Sequence, residues 1–292
     1  MLLLIGFIIV LGATLGGFVI AGGKPLALVH VSEFVVIGGV ALGILVVASP
    51  FPTLLLTLKK IIGALKGTGA GKAEYLDLMK ILFELFSLGR RGGVIALEDH
   101  LTKPKESSIF SKYPTFVNDP ERVEFLCNSL RPIVDGRIKP EQLEPVLDHD
   151  LESKEEVAHG PIHVLQLIGD SLPGVGIVAA VLGIINTMAA IADGPEKVGE
   201  RVAAALTGTF LGILAAYGFV NPLTSRIQAN NGVQHQYFKS MKKGIVAFAN
   251  GLAPLMAVEI ARRTLDHSVQ PGPDELEAIL KNMPTSAPAA GS

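Results

Sequence analysis

Tryptophan is absent from this sequence, and cysteine occurs once, as Cys127. A lone thiol closes no intramolecular disulfide, and no CxxC or Cys/His cluster offers a metal site, so nothing argues for an oxidising compartment or a bound metal. Charge is scarce as well. Asp, Glu, Lys and Arg make up 18% of the 292 residues and balance to a formal net charge of -2. Without a globally basic surface, nucleic acid is not an expected partner. The seven histidines are scattered, with no HExxH and no His/Asp/Ser grouping. No enzyme site and no cofactor are therefore expected. Strand signals are weak throughout, which leaves an all-α fold.

Long apolar runs fill the space these absences leave. Hydrophobic residues reach 49% and the mean hydropathy is +0.46, values of a membrane protein. A hydrocarbon core about 30 Å thick needs about 20 apolar helical residues. Four stretches meet that length without Asp, Glu, Lys or Arg: Met1 to Gly23, Phe34 to Leu58, Ser171 to Ala192 and Val202 to Ser225. The first has no basic segment before it and runs too long for a cleaved signal, so it is read as a span. Cations set the orientation, because cytoplasmic flanks are enriched in Lys and Arg. Lys24 lies in the first short connection and Lys197 and Arg201 in the second, while all other lysines and arginines lie between spans 2 and 3 or after span 4. The expected protein is polytopic, with both termini cytoplasmic and two short loops outside. It divides into a membrane hairpin (1–58), a cytoplasmic helical loop (59–170), a second hairpin (171–225) and cytoplasmic helices with a tail (226–292).

The cytoplasmic segments show helical spacing. In AEYLDLMKILFELFSLGR, Leu76, Met79, Leu82, Phe83 and Phe86 share one stripe. Asn118 or Asp119 caps a helix whose first residue is Pro120. The stretch that begins at KPEQLEPV reads as helical to His159, is interrupted at Gly160-Pro161, and leads into span 3. One or two long amphipathic helices follow span 4, and the closing NMPTSAPAAGS is expected to be disordered.

Several positions carry two readings each. Glycines four apart, Gly12/Gly16, Gly39/Gly43 and Gly208/Gly212, suit packing within the chain or an oligomer. Asp170 is an N-cap for a helix starting at Ser171, or an acid that attracts cations to a pore mouth. Pro173 is a first-turn proline or a kink; Pro222, with helix on both sides, reads as a kink that frees a carbonyl. Thr207 and Thr209 bond their own helix or line a path. In LGRRGGVIALEDHL, Gly89 to Gly93 break a helix, and Arg90, Arg91, Glu98 and Asp99 form either a solvated face or a docking surface of both signs.

Five segments, LIGFIIVLGATLGGFVIAGG, LGRRGGVIALEDHL, GDSLPGVGIVAAVLGI, GTFLGILAAYGFVNPL and AVEIARRTL, resemble in order the MotA family of bacterial flagellar stator proteins. That resemblance implies an inner-membrane ring of five copies around a dimer of MotB, whose membrane helix carries the ion-accepting aspartate, and torque delivered to the rotor protein FliG. It assigns Arg90 and Glu98 to the rotor contact, and Pro173, Pro222, Thr209 and Asp170 to the ion path. Ala180 stands where sodium-using relatives have a threonine. Na+ wants several oxygen ligands, so losing a hydroxyl points to H+ as the transported ion, with sodium the alternative. ExbB and TolQ energisers are the rival family, with three spans and a different loop; a passive membrane scaffold is the rival class.

Overall fold

The computed structural model describes residues 2–66, 70–189 and 194–283; every regular element among them is helical. In chain order these are α1 (Leu2–Ile20), α2 (Val31–Val47), α3 (Phe51–Lys66), α4 (Lys72–Gly92), α5 (Glu98–Thr102), α6 (Pro114–Val117), α7 (Pro120–Val134), α8 (Pro140–Ala189), α9 (Pro195–Leu214), α10 (Asn221–Ala249), α11 (Pro254–Arg263) and α12 (Pro273–Lys281). A π-helical turn, Ala215–Val220, joins α9 to α10. The tail from residue 284 on lies outside the described residues. The chain forms two units: residues 1–68 with 157–231, and residues 69–156 with 232–292.

The first unit carries the membrane helices. Among the described residues, four helical stretches are long and apolar enough to cross a bilayer: Leu2–Ile20, Pro25–Val47, the apolar end of α8 and the apolar start of the α9 to α10 run. No residue of α1 is buried, and Ile8, Ile9 and Ile20 are exposed, as suits a lipid-facing helix. Three expectations change here. The second span ends at Val47 and not at Leu58, because Pro50 follows the Ala48 cap and the chain restarts as the separate helix α3. Its start also moves, to Val31, which takes Glu33 into the helix. And α8 runs unbroken for 50 residues through Gly160-Pro161. Pro161 is buried there, and Gly160 lets Thr53 of α3 come close: a Cβ at Gly160 would stand 3.2 Å from Thr53 Cγ2.

Within this unit α8 and α9 touch backbone to backbone. A Cβ on Gly176 would lie 2.9 Å from the Gly208 carbonyl and 3.0 Å from Gly212 Cα; one on Gly212 would lie 2.6 Å from the Leu172 carbonyl. Side-chain-free positions on both helices are the only way to reach such distances, and dispersion between closely fitted backbones is what holds helices together in lipid. The packing reading therefore holds for Gly208/Gly212. For Gly12/Gly16 and Gly39/Gly43, an added Cβ would meet nothing within 4 Å among the described residues.

The second unit has a conventional core. Met79, Leu82 and Phe86 of the α4 stripe are fully buried, with Leu76 and Phe83 packed at its edge. Phe86 stacks on Phe248 with ring centroids 4.5 Å apart, and Phe125 lies 4.9 Å from Phe238. Asp119 caps α7, accepting from the Glu121 and Arg122 amides, with Pro120 as the first helical residue. Of the one or two helices expected after span 4, two form, α10 and α11, parted at Asn250-Gly251. Arg262 and Arg263 of α11 both donate to Glu259, at 2.7 and 2.8 Å.

Two predictions follow from these contacts. Hydrogen bonds from Arg262, joined by Arg263, hold the Glu259 carboxyl at about 2 against an ordinary 4.5. A folded-state value below the unfolded one stabilises fully above about 4.5 and is lost as pH falls toward 2. Glu259→Gln is expected to lower the stability of the purified protein at neutral pH and to flatten its acid-unfolding profile in that window, read by circular dichroism. In the membrane unit, a Cβ on Gly183 would sit 2.9 Å from Ala205 Cβ, so Gly183→Cys with Ala205→Cys should cross-link on mild oxidation, seen as linked peptides by mass spectrometry. Cys127 should stay out of it, being buried with its thiol pushed up to about 11 by that burial.

Candidate functional site

The two prolines read as neighbours of an ion path lie 49 positions apart in sequence, yet the fold brings their surroundings together. Pro173 lies inside α8 and so is not a first-turn proline. Lacking an N–H, it leaves the Gly169 carbonyl without its normal helical donor. At that same Gly169, a Cβ would stand 2.0 Å from Asn221 Oδ1, so the residue before Pro222 seats itself against the turn before Pro173. Pro222 for its part has no N–H for the Gly218 carbonyl. The chain meets this defect with the π turn Ala215–Val220, closed by the Asn221 amide donating to the Ala216 carbonyl. The kink reading of Pro222 thus takes a specific form, a widened turn ahead of the proline.

Further along the same contact, Ala180 is buried and its amide nitrogen lies 3.3 Å from where a Gly208 Cβ would be. The two threonines separate. Thr207 is buried and donates to the Ala203 carbonyl at 2.9 Å, in its own helix. Thr209 is half-buried, its hydroxyl bonded to none of the described residues, and its carbonyl lies 3.2 Å from the Cβ position of Gly176. So Pro173, Ala180, Thr209 and Pro222 all border one seam between α8 and the α9 to α10 run.

Asp170 is a correction. No helix starts at Ser171, since Asp170 lies mid-way along α8, where the backbone amides are already committed to the preceding carbonyls. It caps nothing and is exposed.

In the second unit, α4 runs through Gly89 to Gly92 and stops only at Gly93, whose φ of +77° a side chain would resist. The break is therefore one residue and not five. A short 3-10 turn, Val94–Leu97, then leads into α5 with buried Leu97 as its anchor. Arg90, at the end of α4, and Glu98, at the start of α5, are both exposed, and neither forms an ion pair with a described residue. They flank a tip carrying Ile95 at 70% exposure. Charges of opposite sign left unpaired beside an open apolar side chain suit a docking surface better than a self-satisfied solvated face.

One buried acid is not apparent from hydropathy: Glu33 falls outside a span that begins at Phe34, since a span bounded at its nearest charged residue excludes every terminal acid. In the structure it sits in the first turn of α2, 4% exposed. The signal was present in His30-Val31-Ser32-Glu33, an acid two residues into a helix that opens with an apolar residue.

Known proteins match this chain over nearly its whole length. The family described as Motility protein A N-terminal matches residues 4–93, and the MotA/TolQ/ExbB proton channel family matches residues 118–240. Motility protein A of Salmonella typhimurium is 36% identical over 277 residues, covering 95% of this chain and 94% of that one. Its Escherichia coli counterpart is 35% identical with the same coverage. Chemotaxis protein LafT of Vibrio parahaemolyticus is 32% identical over 276 residues, covering 94% of this chain and 97% of that one. Among solved structures, Campylobacter jejuni MotAB matches with a TM-score of 0.75 at 23% identity over 91% of this chain and 95% of that one. The flagellar MotAB stator complex from Bacillus subtilis matches with 0.71 at 22% identity over 94% and 98%. These two carry the fold. The N-terminal match and the four membrane helices set the chain apart from an ExbB or TolQ energiser. The chain belongs to the motility protein A family, the flagellar stator branch of the MotA/TolQ/ExbB proton channel family.

Proposed function

We propose that five copies of this chain surround a MotB dimer in the bacterial inner membrane, that the assembly conducts protons, and that the ring passes the released work to the rotor protein FliG. The observation that carries this reading is the α8 seam, where Gly169, Gly176, Gly208 and Gly212 set Pro173, Ala180, Thr209 and Pro222 along one continuous helix contact. Such a surface is small enough for a third helix to lie against it, and Pro173 leaves a carbonyl free at its edge. The charge that titrates is supplied by the partner's aspartate. Its protonation removes a charge from a low-dielectric site and changes which register of the ring it favours. Both termini are cytoplasmic, as the lysine and arginine distribution requires. Arg90 and Glu98 then face the rotor, and Asp170, exposed near the inner end of the seam, raises the local cation concentration.

Ala180 supports H+ over Na+. A buried methyl offers no oxygen to a dehydrated sodium ion, whereas a proton needs only a carboxylate and a chain of waters. Sodium-independent swimming is the expected outcome, and a strict requirement for Na+ would exchange the ion in this reading.

Pro173→Ala restores the missing donor for the Gly169 carbonyl. Co-expressed with MotB, it is expected to abolish proton influx and swimming while the complex still co-purifies; unchanged motility would remove the seam from the mechanism. The double reversal Arg90→Glu with Glu98→Lys is expected to cut swarming severely while proton conductance persists, and to recover with reversed charges on FliG. Full torque from the double reversal alone would place the rotor contact elsewhere.

A further inference from the structure

Among the described residues of the membrane unit, one buried acid lies outside the partner-carboxylate mechanism. Glu33 Oε2 is buried and receives no hydrogen bond. Oε1 has only the Ser32 hydroxyl, at 3.5 Å, the outer limit of a hydrogen bond. No cation pairs with it: Glu33 takes part in no ion pair among the described residues, and α8 from Ser171 to Ala189 and α9 from Val202 to Leu214 contain no Lys or Arg. His30 Nε2, at the N-cap of the same helix, is likewise buried without a partner.

The carboxyl is aimed at the seam. Oε2 lies 2.6 Å from the point where a Gly208 Cβ would stand, and the Ala179 methyl and Ala180 amide lie 3.2 and 3.3 Å from that point. The space left by the missing side chain of Gly208 is thus occupied by a carboxyl oxygen, one residue from Thr209. A structural acid in such a place would be satisfied by donors, because an unpaired charge in low dielectric is costly. The field at the start of α2 favours an acid there but is weak beside that cost. A carboxyl that hands protons on as they pass needs no permanent partner.

We propose that Glu33 is a proton relay of this chain, on the outward side of the α8/α9 seam. An O–H bond forms at Oε2 with a proton taken from water on the outer face and breaks when that proton moves inward to the next water or carboxylate; no electron is exchanged. The outward placement rests on the orientation given under Proposed function.

The test is proton influx through the full complex with MotB, alongside membrane levels and co-purification. Wild-type complex must conduct; if it does not, the conduction reading fails before Glu33 is reached. Glu33→Gln keeps the shape but not the titration, and is expected to lower the flux by about tenfold or more with the complex intact. Glu33→Asp should recover part of it, and a protonated-carboxyl infrared band present in wild type should be missing from Glu33→Gln. Flux from Glu33→Gln within about twofold of wild type would overturn the relay. So would loss of the complex in Glu33→Gln, since its amide has the same shape and the defect would then be one of packing.

Discussion

The close approach of α8 and α9 is the constraint on which the membrane unit depends. Two helices whose backbones come within contact distance leave no room for side chains between them, so Gly176, Gly208 and Gly212 are fixed by geometry. In lipid this fit replaces the hydrophobic effect that drives helices together in water. It also dictates where everything else lies. The Ala179 methyl and the Ala180 backbone amide lie against the Gly208 position, and Glu33 reaches the seam through the gap that Gly208 leaves.

The second unit rests on different physics. Its helices bury aromatic and aliphatic side chains out of water, with Phe86 on Phe248 and Phe125 beside Phe238. Arg122 lies over the Tyr237 ring at 4.2 Å and pairs with Glu74, so a buried cation is matched by a π face and a carboxylate. A core of this kind holds the tip between α4 and α5 in place while leaving Arg90 and Glu98 unpaired on it. The residues that hold the core and the exposed charges at the tip are thereby different ones.

Proline and glycine have opposite effects depending on what surrounds them. Pro50 ends α2, whereas Pro161 and Pro173 sit inside α8 without ending it. Pro50 follows a helix end already capped by Ala48, while the turns around Pro161 are pinned by buried Ile162 and Leu165. Pro222 is accommodated in a third way, by widening the preceding turn. What a helix-breaker does is decided by the packing on either side of it.

The sequence by itself determined the helical class, the four apolar runs, the α4 stripe, the Asp119 cap and the family, since each depends on periodicity, composition or a short motif. The Gly93 break was legible to within a few residues for the same reason. Tertiary structure alone decided the rest. Hydropathy continues past Pro50 into α3, so only the fold separates the two helices, and only packing keeps α8 whole through Gly160-Pro161. Asp170 reads as an N-cap only if a helix starts at Ser171; with no helix end there, it has nothing to cap. Glu33 could not be seen as buried from its neighbours in sequence, because the residue that makes room for it is Gly208, and a contact between positions so far apart exists only once the chain has folded.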